Sequence, residues 1–306
     1  MHRSLGQAVR WAEQVLAEAG IDSARTDALL LAGHLLGLSR GEVEARAIIG
    51  GDEPEGYAEL VAERARRVPL QHLTGVAHFR YLTLSVGPGV FVPRPETETV
   101  VQTVVDELRR QLAAGVHRPR VVDLGTGSGA IAASVAHEVP QARVHAVELS
   151  ESAHAWAARN LRGTRTVLVR GDLRTAFPEL EGRCDVVVSN PPYIPADALP
   201  REPEAREHDP ELALYGGGED GLELPRTALA SALRLLRPGG FFVMEHAEVQ
   251  AKPVARAFRE AGLVDVVGHQ DLTGRDRATA GRTPEAAAPA PDGTAPDGTA
   301  PDEMGE

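Results

Sequence analysis

The stretch Val121-Val122-Asp123-Leu124-Gly125-Thr126-Gly127-Ser128-Gly129-Ala130 reads as a buried strand, a tight glycine turn and the start of a helix. Further apolar, strand-like runs at 143–149, 166–170, 184–189 and 240–246 alternate with helical stretches on its C-terminal side. That alternation predicts an α/β fold, a parallel sheet with helices on both faces. In such a sheet ligands bind beyond the carboxyl ends of the strands, which makes the glycine turn a candidate site.

The candidate residues of the turn are Gly125, Thr126, Gly127, Ser128 and Gly129. A cofactor approaches a backbone closely only where no Cβ intervenes, and the helix that follows offers unpaired N–H groups to a carboxylate. The turn alone does not choose its ligand. Gly125, Gly127 and Ala130 also satisfy the G-x-G-x-x-G/A dinucleotide pattern, so a nicotinamide dinucleotide and a sulfonium nucleoside such as S-adenosylmethionine both fit. Glu148, 23 residues after Gly125, stands at the end of the second strand, where a carboxylate accepts both hydroxyls of a ribose. Asp172, after the third strand, can accept from an adenine amino group while Leu173 packs on the ring.

The choice comes from Ser189-Asn190-Pro191-Pro192-Tyr193 at the end of the fourth strand. Two prolines cannot continue a ladder and make a rigid corner at the ligand edge. An amide or aromatic amino nitrogen has a delocalised lone pair, so it must be held facing an electrophilic methyl group. The Asn190 side-chain oxygen and the Pro191 carbonyl can accept its two hydrogens, with Tyr193 against the planar group. No strong general base is needed, because an amide methylated on nitrogen is itself a strong acid. These residues point to methyl transfer from S-adenosylmethionine onto a planar nitrogen.

Outward from this core, residues 1–75 read as helical. Leu5, Val9, Ala12 and Leu16 form one apolar face, a second helix covers 27–36, Ser39 with Glu42 is a capping box for a third, and a fourth covers 53–68. Alternation from Phe79 to Val86, closed by Gly87, Pro88 and Gly89, predicts a hairpin within 76–90. The expected organisation is a helical substrate-docking domain at 1–75, a hairpin linker at 76–90, a catalytic domain at 91–282 and a disordered acidic tail at 283–306. The tail repeats Ala-Pro-Asp-Gly-Thr and holds almost no large apolar residue.

The bulk numbers exclude several classes. A formal charge of −12 opposes general affinity for a phosphate backbone, so direct nucleic-acid binding is not expected. The one cysteine, Cys184, excludes a disulfide framework and a multi-thiolate site, and falls in an apolar run where an inert thiol is expected. The 11 histidines include no metal-binding pair, so no metal is expected, and Trp11 and Trp156 fall in helical patterns as packing residues. No apolar stretch reaches the length of a membrane span, which predicts a cytoplasmic protein.

With these residues in view, the chain resembles the HemK-type release-factor glutamine methyltransferases over roughly residues 4–282. Besides the glycine turn and Asn190-Pro191-Pro192-Tyr193, the resemblance rests on Pro69-Leu70-Gln71-His72-Leu73-Thr74-Gly75, on Phe91-Val92-Pro93-Arg94-Pro95-Glu96-Thr97-Glu98, on the segments 209–214 and 217–222, and on Gly274-Arg275-Asp276-Arg277. The resemblance implies a Rossmann-like class I methyltransferase with a mostly parallel seven-stranded sheet and a small N-terminal helical bundle. It further implies that the turn, Glu148, Leu173 and Asn190 contact S-adenosylmethionine, and that Asn190, Pro191, Pro192 and Tyr193 hold the glutamine of the Gly-Gly-Gln motif of peptide chain release factors. The expected partner is a release factor, and the expected state a monomer. His72 stands where a tyrosine is common in that family, and the acidic tail extends past the family's usual end. A ribosomal-protein glutamine methyltransferase would share every site residue. An adenine-amino methyltransferase would need a basic groove or target-recognition domain, which the sequence does not display.

Overall fold

The computed structural model describes residues 3–200 and 202–286. Most of the expected tail, 287–306, lies outside the described residues.

The N-terminal part is built from α1 (Leu5–Glu18), α2 (Ala24–Leu36), α3 (Arg40–Ile49), α4 (Tyr57–Ala65) and the short α5 (Leu70–Thr74). Capping boxes at Ser4 with Gln7 and Ser39 with Glu42 start α1 and α3, and Gly37 and Gly50 end α2 and α3 in the left-handed conformation. The fourth helix is shorter than its periodicity predicts. Gly56 at φ 81° and a turn closed by the Tyr57 N–H on the Pro54 carbonyl delay its start. Leu5, Leu16, Leu29, Leu31 and Tyr57 fill the bundle core, and the Tyr57 hydroxyl donates to the Ala28 carbonyl at 2.8 Å.

The hairpin is β1 (Val76–Phe79) paired antiparallel with β2 (Leu82–Ser85). Ala77 of β1, with Val86, Val90 and Val92 from the segment after β2, packs on Ala153 and Trp156. Gly87 is required there: a Cβ would sit 2.6 Å from the Trp156 ring.

Then follow α6 (Thr97–Ala113), β3 (Arg120–Leu124), α7 (Ala130–Glu138), β4 (Arg143–Glu148), α8 (Glu151–Asn160), β5 (Val167–Arg170), β6 (Cys184–Ser189), α9 (Pro203–His208), α10 (Glu211–Leu214), α11 (Glu223–Leu235), β7 (Leu236–Glu245), α12 (Ala251–Glu260), β8 (Val264–Gln270) and β9 (Asp276–Arg282). The seven sheet strands run in the order β5-β4-β3-β6-β7-β9-β8, parallel except for β9, which lies antiparallel to β7 and β8. Successive residues of the central strands enter opposite cores. Val121, Val186, Val188 and Val243 face α6 and α7, while Val122, Leu124, Val187 and Phe242 face α11 and α12. Burying each such valine contributes about 1.5–3 kcal/mol, which is why β6 is apolar on both faces.

Two boundaries move. β7 begins at Leu236 rather than 240, because Leu236 already pairs with Cys184 before an irregularity that Pro238 and Gly239 accommodate. The ordered chain also continues past 282: the Thr283 hydroxyl donates to the Arg237 carbonyl at 2.7 Å, and the Gly239 N–H to the Pro284 carbonyl at 3.1 Å. Among the described residues no helix is long and apolar enough to cross a membrane.

Candidate active site

The strand order reverses direction between β3 and β6, so the turns leaving these two neighbours flank one crevice. Leu124 pairs with Ser189, and the Ser189 hydroxyl donates to the Leu124 carbonyl at 2.7 Å. The glycine turn and the double-proline corner therefore start side by side.

Gly125, Gly127 and Gly129 have φ of 75°, 57° and 82°, a region costly for a side chain. At Gly125 and Gly127 a Cβ would meet nothing within 4 Å, so the space outside the turn is open. Gly129 instead makes room for packing, its Cβ position lying 3.4 Å from Ala157 and Leu161 on the α8 side. The Gly125 and Thr126 N–H groups donate to the Val147 carbonyl, tying the turn to the end of β4.

Glu148 is 8% exposed. Its two carboxylate oxygens each accept one backbone N–H at 2.8 Å, from Gly127 and Ser150. Each oxygen keeps further acceptor capacity, as the paired hydroxyls of a ribose require. The Gly171 N–H donates to the Glu148 carbonyl and brings Asp172 alongside. Asp172 is engaged locally: its Oδ1 accepts the Arg174 N–H at 2.9 Å, while Leu173 is half-buried in the core beneath.

Asp123, not singled out as a site residue from the sequence, is fully buried under the turn. Its Oδ2 accepts the Thr126 hydroxyl at 2.5 Å and the Ala132 N–H at 3.2 Å, and its Oδ1 has no partner. Burial pushes its carboxyl up to about 7 despite those bonds. An orphaned buried acceptor beside an open glycine turn suits a ligand carrying an ammonium group, as the methionine end of S-adenosylmethionine does.

On the acceptor side, the Asn190 Nδ2 donates to the Thr97 Oγ1 at 3.3 Å, and Pro191 is buried. The Tyr193 hydroxyl donates to Glu245 Oε1 at 3.5 Å, and its carbonyl accepts the Gln250 amide at 2.8 Å. Burial raises the Tyr193 hydroxyl pKa well above its ordinary value, with Glu245 reinforcing it. Gly216 packs directly on this corner, where a Cβ would stand 2.6 Å from the Pro192 carbonyl oxygen. Arg94 pins the segment beyond: it bonds Asp209 at 3.0 Å and Glu202 at 3.0 Å. Burial raises the Asp209 carboxyl to about 6, with Arg94 opposing. The helical part reaches the same segment. Arg64, buried against Asp27 at 2.7 Å, also holds Glu204 at 2.8 Å, and Arg67 holds the other Glu204 oxygen.

The structure thus brings the glycine turn and Glu148 together at the ends of β3 and β4, starts the Asn190–Tyr193 corner from the neighbouring β6, and sets Asp123 under the turn and Thr97 and Glu245 against the corner. Asp123 was visible in the quoted stretch. Glu245 had no signal beyond being an acid at a strand end. His72, with Nε2 3.3 Å from the Val90 carbonyl, and Cys184, whose burial pushes its thiol up to about 12, stay outside the site.

A glycine turn closed by a ribose-type carboxylate, with an Asn-Pro-Pro-Tyr corner across the switch point of this sheet, defines a class I S-adenosylmethionine-dependent methyltransferase. Residues 7–75 match the family model described as the PrmC N-terminal domain, and residues 82–200 that of the methyltransferase small domain. The release factor glutamine methyltransferase of Streptomyces coelicolor is 54% identical over 276 residues, 90% of this chain and 96% of that protein. The 4-amino-L-phenylalanine/4-methylamino-L-phenylalanine methyltransferase of Streptomyces pristinaespiralis is 40% identical over 289 residues, 94% of this chain and 98% of that protein. The solved release-factor-specific protein-(glutamine-N5) methyltransferase of Alicyclobacillus acidocaldarius is 31% identical, with 65% of this chain and 99% of that chain covered and a TM-score of 0.41. The chain belongs to the release factor glutamine methyltransferase family.

Proposed function

We propose that the protein transfers the methyl group of S-adenosylmethionine to the side-chain amide nitrogen of the Gly-Gly-Gln glutamine in peptide chain release factors. The observation that carries this reading is the position of Asn190. It leaves the strand next to the glycine turn, with its amide nitrogen already held by Thr97 and its oxygen left for a substrate N–H. The name and near full-length coverage of the Streptomyces coelicolor relative support the acceptor's identity.

Bound S-adenosylmethionine supplies an electrophilic methyl group. Gly125, Thr126, Gly127, Ser128 and Gly129 would receive its methionine end, Glu148 the ribose, and Asp172 and Leu173 the adenine edge and face. Asn190 and the Pro191 carbonyl would hold the two amide hydrogens, with Pro192 stiffening the corner and Tyr193 flanking the plane of the substrate group. Positioning then supplies the rate enhancement, and the methylated amide releases its proton to water.

The helices of residues 1–75 would dock the release factor, their Arg64 and Arg67 bracing the segment that follows the corner. We place the enzyme in the cytoplasm as a monomer without direct nucleic-acid contact, in keeping with its charge of −12. The test is peptide mass spectrometry of a release factor incubated with enzyme and S-adenosylmethionine. One methyl group on the Gly-Gly-Gln glutamine is expected; methylation elsewhere, or of a ribosomal protein or nucleic acid instead, overturns the assignment.

A further inference from the structure

Against the Asn-Pro-Pro-Tyr corner lies the glycine-rich loop 215–222, joined to it by a parallel bridge between Ile194 and Tyr215. The Ile194 N–H donates to the Leu214 carbonyl and the Gly216 N–H to the Ile194 carbonyl, both at 2.9 Å. Glycine lets the two backbones touch. A Cβ on Gly216 would stand 2.8 Å from the Tyr193 Cα, and one on Gly221 would overlap the Tyr193 carbonyl oxygen. Backbones pressed together in this way bring their carbonyls close, and buried carbonyls need donors.

Gln250 supplies two donors from one nitrogen. It ends the short turn Glu248–Gln250 that follows β7 and is 5% exposed. Its Nε2 donates to the Tyr193 carbonyl at 2.8 Å and to the Asp220 carbonyl at 2.9 Å, and its Oε1 accepts the Ala247 N–H at 3.1 Å. These partners fix the sense of the amide. A main-chain carbonyl only accepts and a main-chain N–H only donates, so a half-turn would set the oxygen against two carbonyls and the NH2 against an N–H. One side chain therefore ties together the exit of β7, the corner and the loop beside it.

Resting on the reading of the corner as the holder of the acceptor, we propose that Gln250 is a positioning residue: by strapping the Tyr193 and Asp220 carbonyls to the exit of β7, it fixes the backbone from which Asn190, the Pro191 carbonyl and Tyr193 meet the substrate amide.

Such a strap matters because two acceptors aimed at a planar nitrogen tolerate little displacement, and a shift of about 1 Å costs on the order of 100-fold in rate. Tyr193 is then gripped twice from the end of β7, by Glu245 at its hydroxyl and by Gln250 at its carbonyl. The glycine turn and Glu148 are held by other bonds, from Gly125 and Thr126 to Val147 and from Gly127 and Ser150 to Glu148. Loss of the strap is therefore expected to spare the cofactor.

The experiment compares Gln250→Met, similar in length but without donor or acceptor, and Gln250→Glu, which loses the NH2 and sets oxygens on both carbonyls, with the full wild-type chain. Hydrogen exchange by mass spectrometry reads the corner without substrate. Peptides containing Ile194 and Gly216 are expected to exchange on the order of ten-fold faster in both variants, with the remaining peptides unchanged. On a release factor kcat falls on the order of ten- to a hundred-fold, while KM and the S-adenosylmethionine affinity found by calorimetry stay within about two-fold. Unchanged exchange at these peptides, wild-type kcat in both variants, or a loss traced to cofactor affinity each overturns the proposal. Faster exchange throughout the chain with a lowered melting temperature also overturns it, because Gln250 would then be a general stabiliser. A wild-type enzyme inactive on release factors overturns the functional reading instead, and since exchange needs no substrate the two failures are separately visible.

Discussion

Glu148 closes β4 and Glu245 closes β7, at the same edge of the sheet on either side of the switch point. Both are buried, yet different groups hold them. Glu148 is fixed by two main-chain N–H groups, donors that cannot reverse their bonds. Glu245 is met by the hydroxyl of Tyr193 at 3.5 Å, which can donate or accept, and burial pushes its own carboxyl up to about 7. The cofactor half of the crevice is thus built on backbone geometry. The acceptor half is built on side-chain contacts, Asn190 with Thr97 and Tyr193 with Glu245.

That contrast can be broken by mutation. The largest effect is expected at the acceptor end. On the proposed reading, Asn190→Ala removes the amide that would hold the substrate, so kcat on a release factor falls about 100-fold or more while calorimetry still finds S-adenosylmethionine bound. Unchanged turnover would remove the holding role. Glu148→Ala acts on the other half. Loss of the charge-assisted bonds proposed to the ribose, about 1.5–3 kcal/mol, weakens cofactor affinity on the order of ten- to a hundred-fold. A fall in kcat at saturating cofactor with unchanged affinity would contradict the division between the halves. The smallest effect is expected from removing residues 287–306, which contain the Ala-Pro-Asp-Gly-Thr repeats. Melting temperature and kcat/KM should stay near wild type, and weakened release-factor binding would give the tail a docking role.

The backbone half of the site was the legible half. Glycine spacing from Gly125 to Gly129, an acid at 148 and apolar runs for β3 and β6 are local signals, and the structure keeps β3 and β6 at the expected bounds. The ends of β4 and β5 shift by one residue because pairing, not hydropathy, decides where a ladder stops. β8 lies at the sheet edge and is largely exposed, so it carries no apolar run to notice. Thr97 stands in the segment 91–98 that carries the resemblance, yet the sequence gives it no partner, and Glu245 has no signal beyond being an acid at a strand end. Thr97 meets Asn190, and Glu245 meets Tyr193, only through the fold, and residues so far apart in sequence carry no mark of such meetings. Asn190 was found by its prolines, but its contact with Thr97 was not.

Release factor, a ribosomal protein and 4-amino-L-phenylalanine offered side by side, each at limiting concentration with S-adenosylmethionine, compare the three acceptors by kcat/KM with the modified atom located by mass spectrometry. The account predicts methylation of the Gly-Gly-Gln glutamine amide with kcat/KM at least about 100-fold above either alternative, in line with sites that hydrogen-bond their substrate. Preference for the ribosomal protein or for the arylamine would contradict it.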